Sequence, residues 1–121
     1  MPALTQRIRF IRSHDGVRLA YASSGQGSTV IKAATWLSHL AYDWESPVWR
    51  HVLQSFSARH RLLRYDERGC GLSDWQVSDL SFDSWLRDLE AVADEAGADR
   101  FALLGVSQGA SIAVALSLIH I

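Results

Sequence analysis

A chain of 121 residues holds one small domain or a piece of a larger one, and 48% hydrophobic against 21% charged residues excludes a disordered polypeptide. A formal net charge of -1 gives no field that would recruit nucleic acid, anionic lipid or a polyanion, so the expected partner is a small, neutral substrate or ligand, with no cofactor. The lone cysteine, Cys70, closes no internal disulfide, Met1 to Arg12 has no continuous apolar core, and no stretch reaches the roughly 18 apolar residues of a membrane span, so the expected location is cytoplasmic.

In chain order, Gln6 to Ser13 and Val17 to Ala22 alternate apolar and polar residues (Ile8, Phe10; Val17, Leu19, Tyr21) around Asp15-Gly16, which predicts an antiparallel hairpin. The Ser/Gly cluster at 23–28 interrupts the pattern, and Thr29 to Ala34 reads as a short buried strand. Trp36 to Pro47 reads as a polar-aromatic loop. Pro47 suits the first turn of an amphipathic helix with Val48, Val52, Leu53 and Phe56 on one face, ending near His60. Arg61 to Tyr65 is a second buried strand, and the glycine-rich stretch Asp66 to Asp74 is a turn. Ser81 is placed to cap a helix whose face is Phe82, Trp85, Leu86, Leu89 and Ala93 and which Gly97 ends. Arg100 to Gly105 is a third buried strand, and the run Ala110, Ile112, Ala113, Val114 suits a helix lying close to a sheet.

Hairpin, then strand and helix in alternation, predicts an α/β fold with a mostly parallel sheet flanked by helices. Five tryptophans (Trp36, Trp44, Trp49, Trp75, Trp85) are expected chiefly in the core, with Trp36, Trp44 and Trp75 as pocket candidates by loop position.

Gly105-Val106-Ser107-Gln108-Gly109 fits G-x-S-x-G and falls between a predicted strand and a predicted helix, where a serine on a strained turn would project its hydroxyl above the sheet. The two glycines remove β-carbons that would strike the neighbouring strand and helix. The helix N-terminus offers free N–H groups and a favourable dipole for an oxyanion, with the Gln108 N–H as first donor. A glycine-flanked serine that merely caps a helix is the plainer reading; two strand-helix units upstream favour the nucleophile. Gly69-Cys70-Gly71 lacks the third glycine of a dinucleotide loop, with Asp74 in its place, and His14, His39, His51 and His60 form no metal-spaced pair. Cys70 is expected in an exposed turn beside Arg68.

With these motifs in order, the chain resembles the α/β-hydrolase superfamily. Tyr65 to Asp74 looks like its D-x-R-G-x-G-x-S turn, and Ser107 sits at its nucleophile elbow. The resemblance implies that Asp66, Arg68 and Ser73 are scaffold and that Ser107 is the nucleophile of a hydrolase of ester, lactone or amide bonds. Lys32 to Leu37, Tyr42 to Trp49 and Arg68 to Gly71 more narrowly resemble hydrolase-like domains fused to LuxR-type regulators or cyclase-type signalling domains. That likeness implies the alternative of a ligand-sensing module with a fused regulatory domain. Where most members carry His-Gly after the third strand, this chain has Thr35-Trp36, so the second oxyanion donor would be a backbone N–H near Trp36.

In the superfamily the acid and the histidine follow the nucleophile far downstream, and twelve residues follow Gly109 here. The chain as written is therefore expected to be the N-terminal portion of one α/β-hydrolase domain over residues 1–115, truncated after the elbow helix, with little or no turnover of its own. Leu116-Ser117-Leu118-Ile119-His120-Ile121 matches the translation of a transposase adapter used in sequencing libraries, so residues 116–121 are expected to be non-native.

Overall fold

Seven residues on each side of the Asp15-Gly16 turn form the antiparallel pair β1 (Gln6–Arg12), which alternates in polarity, and β2 (Arg18–Ser24), which is buried along most of its length, with Arg12 opposite Arg18 at the turn and Gly16 at a φ of 85° that suits glycine. The computed structural model describes residues 4–119. β2 also pairs antiparallel with β4 (Arg61–Tyr65), which pairs parallel with β3 (Thr29–Lys32), which pairs parallel with β5 (Phe101–Leu104). The resulting five-stranded mixed sheet has the order β1-β2-β4-β3-β5. This is the α/β architecture expected from the sequence, an N-terminal hairpin followed by parallel strands with flanking helices.

The period of two in the parallel strands divides the core between two faces. On one, Ile31, Leu63 and Tyr65 pack against Leu89, Val92 and Ala96 of α3 (Phe82–Ala96) and Ile112, Ala113 and Leu116 of α4 (Gln108–Ile119). On the other, Val30 and Leu62 pack against Leu53 of α2 (Arg50–Arg59), with Trp44, Trp49, Phe56 and Leu104 around them. Ser81 caps α3 by accepting from the Ser84 N–H, and Gly97 ends it in the left-handed conformation, as expected.

Several expectations need correction. The stretch read as a loop contains a short helix, α1 (Leu40–Glu45), capped by the His39 side chain accepting from the Tyr42 N–H. Histidine is a weak helix-start signal, so this one was missed. α2 begins at Arg50, three residues after Pro47, and Val48 and Val52 face solvent. In α3 the inward face runs through Ser84, Asp88, Leu89 and Val92, leaving Phe82 exposed; a buried carboxylate there defeats a purely apolar reading. β5 lies at the sheet edge and is half-exposed rather than buried. Trp44, Trp49 and Trp85 pack against the core, whereas Trp36 and Trp75 are exposed.

α4 continues past Ala115 to Ile119, with Leu116 in the main core and the Ser117 hydroxyl donating to the Ala113 carbonyl at 2.9 Å. An apolar segment of any origin would pack alike here. His120 and Ile121 lie outside the described residues. Among the described residues no helix is long and apolar enough to cross a membrane.

Candidate active site

Three segments meet where the parallel strands end: the turn between β5 and α4, the loop after β3, and the turn after β4. In open α/β sheets this end of the strands is where ligands gather. The β5–α4 turn holds Ser107 at a φ of 55°, one of two non-glycine residues with positive φ in the described chain. Such backbone costs of order 1–3 kcal/mol and persists only where the surroundings impose it. They do so through the two glycines. A β-carbon on Gly105 would stand 2.6 Å from the Ala110 Cα, and one on Gly109 would stand 2.8 Å from the Ala33 carbonyl oxygen. The strand, the turn and the helix therefore approach one another as the G-x-S-x-G pattern anticipates. The Gly109 N–H donates to the Val106 carbonyl and the Ala110 N–H to the Ser107 carbonyl, both at 3.0 Å, which begins α4. The Gln108 N–H belongs to the first residue of that helix and has no acceptor within it.

The loop 33–38 lies directly against this elbow. The Ala33 N–H donates to the Leu104 carbonyl at 2.9 Å, and Gly109 abuts Ala33 and Ala34. Leu37 is the second non-glycine residue with positive φ, at 63°. The structure thus brings together Ser107, Gln108 and the loop carrying Trp36, whose ring is exposed.

The turn after β4 supports both. Asp66 is fully buried and accepts from the Ser38 hydroxyl at 2.7 Å, the Leu40 N–H at 3.1 Å and the Leu72 N–H at 2.8 Å, tying loop 33–38 to the turn. A β-carbon on Gly71 would collide with that carboxylate. The Ser73 hydroxyl donates to the Asp66 carbonyl and accepts from the Ala20 N–H, locking the turn to β2. Arg68 is fully buried and forked between Asp88 of α3 and Asp15 of the first hairpin, at 2.8 and 2.7 Å. Its charge holds the Asp15 carboxyl down at about 2. Cys70, expected in an exposed turn beside Arg68, is buried; burial pushes its thiol up, and the Arg68 guanidinium is committed to the two aspartates.

Glu67 is a site residue that the sequence reading passed over. Its Oε1 accepts from the Gln108 side-chain Nε2 at 2.8 Å, joining the turn after β4 to the first residue of α4. Burial raises its carboxyl pKa, against the Gln108 bond, with the nearby Asp88 adding to the rise. The signal was available: an acid set between Asp66 and Arg68 in a compact, glycine-rich turn has little room to reach water. Two of the histidines hold local structure, His39 capping α1 and His60 beside the Ser28 hydroxyl at 3.2 Å. Among the described residues no three His, Cys, Asp or Glu side chains gather as metal ligands would.

Comparison with known proteins agrees with this geometry. The alpha/beta hydrolase fold family matches residues 38–120, well over half of the chain. The chain belongs to that family. Alpha/beta hydrolase relatives include a putative carbamate hydrolase, RutD, of Azorhizobium caulinodans, 31% identical over 58% of this chain and 26% of its own length. Epoxide hydrolase 4 of mouse is 29% identical over 86% of this chain and 29% of its length. Among solved structures of the fold, a Vigna radiata epoxide hydrolase mutant superposes with a TM-score of 0.74 at 25% identity, covering 95% of this chain and 35% of that one. Cfl2 of Burkholderia cenocepacia superposes with a TM-score of 0.76 at 25% identity, covering 95% and 37%. This alpha/beta hydrolase chain therefore spans between a quarter and two-fifths of the length of these proteins.

Proposed function

We propose that this chain is the nucleophile-bearing N-terminal portion of a hydrolase that attacks an ester, lactone or amide carbonyl with the Ser107 hydroxyl. The observation that carries the reading is the left-handed Ser107 between two glycines that cannot accept a β-carbon. A serine in that turn presents its hydroxyl beyond the sheet, beside the first amide of α4. Attack on a carbonyl places negative charge on oxygen, and the Gln108 N–H at the helix start stabilises it. A second donor comes from the backbone near Trp36, in the loop held against the elbow. The Gln108 side chain, bound to Glu67, keeps the first helical residue oriented.

The base and acid that would activate Ser107 belong to chain beyond these residues, in keeping with the share of the relatives' length that the chain spans. Among the described residues no hydrogen bond joins a base to the Ser107 hydroxyl, and the expected turnover of these 121 residues alone is little or none. In the full reading frame, a fluorophosphonate probe labels Ser107 and Ser107→Ala abolishes the labelling; an unlabelled, folded protein overturns the nucleophile assignment.

A second reading is supported by Thr35-Trp36 in place of the His-Gly usual after the third strand. With a weakened second donor, the same pocket serves as a ligand-sensing module attached to a transcriptional regulator or signalling domain. A helix-turn-helix or cyclase domain in the parent frame, with ligand binding that survives Ser107→Ala, supports sensing.

A further inference from the structure

The overall charge of -1, which predicts a small neutral partner, conceals two neighbouring cations beside the site. Lys32, the single lysine of the sequence, ends β3, and it is paired in register with Arg64 of β4. Both share the α2 face of the sheet with Val30 and Leu62. Like charges at directly paired positions destabilise a sheet unless something compensates. Arg64 is provided for, since its Nη2 donates to the Gln6 Oε1 and to the Leu40 carbonyl at 3.2 Å. Lys32 is not. Among the described residues its ammonium has no hydrogen-bond acceptor or ion-pair partner, and its one recorded contact is the face of the Trp49 ring, 5.5 Å away. Asp43 and Asp66 act on it from a distance, but the Asp43 Oδ2 accepts from the His39 N–H and Asp66 is filled by its own three donors. Burial and the neighbouring Arg64 hold the lysine pKa below its usual value.

Lys32 and Arg64 open into a cavity of about 100 Å³, bounded by the loop 35–38, Asp43, Trp49 and Leu53. Two cations and one carboxylate leave that lining with a net positive charge. The volume is that of about three water molecules at ~30 Å³ each, enough for a carboxylate and a short stem. Trp49 and Leu53 supply an apolar wall for such a stem, and Thr35 a hydroxyl.

We propose that this cavity is a carboxylate-binding subsite in which the Lys32 ammonium holds the acid group of a small organic ligand. Its roof is the loop that also lies against the Ser107 elbow, so an acid bound there would touch the segment from which the second oxyanion donor comes. The proposal does not rest on Ser107 acting as a nucleophile, because occupancy is read directly and not through turnover.

Lysine-selective ¹³C labelling gives Lys32 the single ε-methylene signal of this chain, and in a longer parent frame Lys32→Arg identifies it. Acetate is titrated against chloride at equal ionic strength. A saturable shift with acetate, half-complete on the order of 1–10 mM, and no such shift with chloride is the expected result. Tryptophan fluorescence follows the same binding, with Trp49 beside the site. It should survive in Lys32→Arg and weaken at least about ten-fold in Lys32→Gln. Equal responses to acetate and chloride, or undiminished acetate affinity in Lys32→Gln, overturn the proposal. Should Lys32→Gln fail to fold, the ¹³C titration of the parent sequence alone decides. Slower fluorophosphonate labelling of Ser107 in acetate marks the carboxylate as part of a substrate or product; unchanged labelling marks it as a separate ligand.

Discussion

Arg68 is a fully buried guanidinium, and a charge without water must find its compensation in the protein. It does so with Asp88 through Nε and Nη2, with Asp15 through both terminal nitrogens, and with the Asp79 carbonyl. Asp88 in turn accepts from the Ser13 hydroxyl at 2.5 Å. The partners are unequal: the Asp88 side chain is 1% exposed and that of Asp15 is 30%. Removing the buried partner strands a charge, whereas at Asp15 water can replace the lost carboxylate. Asp88→Ala is therefore expected to lower stability by about 3–5 kcal/mol and Asp15→Ala by clearly less, as chemical denaturation of the folded parent would measure. The arginine and its turn were legible as scaffold from their motif. Asp88 was not, because an acid inside an amphipathic helix reads as solvated until a buried cation is placed opposite it.

Among the elements, the elbow is the one whose sequence pattern and geometry agree most closely. Pattern alone placed a strand before it, a helix after it and glycines where backbones meet. The structure adds which backbones meet: Gly105 against α4, Gly109 against the loop after β3. A methyl group at 109 must displace the Ala33 carbonyl, while one at Gly97 meets open space and pays only for its left-handed φ of 67°. Gly109→Ala should destabilise by about 1–3 kcal/mol through overpacking and reduce probe labelling of Ser107, whereas Gly97→Ala should cost about 1 kcal/mol and leave labelling intact. The short helix α1 and the exposed faces of Val48 and Phe82 escaped the reading for a common reason. Helical spacing reports that a side chain could share a face, but the neighbouring element decides which face is covered.

At the scale of the molecule the sheet has two unequal margins. β1 is charged, with Arg7, Arg9 and Arg12 along it, and such residues discourage further strand pairing. β5 carries Phe-Ala-Leu-Leu, pairs with β3 and is half-exposed, while Val114, Leu118 and Ile119 of α4 face outward beside it. An apolar strand edge next to an apolar helix surface is prone to pair with another copy. Produced as these 121 residues alone, the chain should self-associate, and sedimentation showing a stable monomer at tens of micromolar would contradict this. The alternation of strands and helices was legible throughout; the exposure of its last strand depends on which neighbours the sheet has, and periodicity does not carry that information.

The forked arginine also orders the fold in time. Asp15 stands 53 residues before Arg68, and Asp88 a further 20 after it. During synthesis the first hairpin leaves the ribosome long before the guanidinium that anchors its turn, and that guanidinium is itself not neutralised until α3 has emerged. The hairpin, made before both of its anchors, is thus secured late, and the step that secures it closes the hairpin, the turn and α3 together.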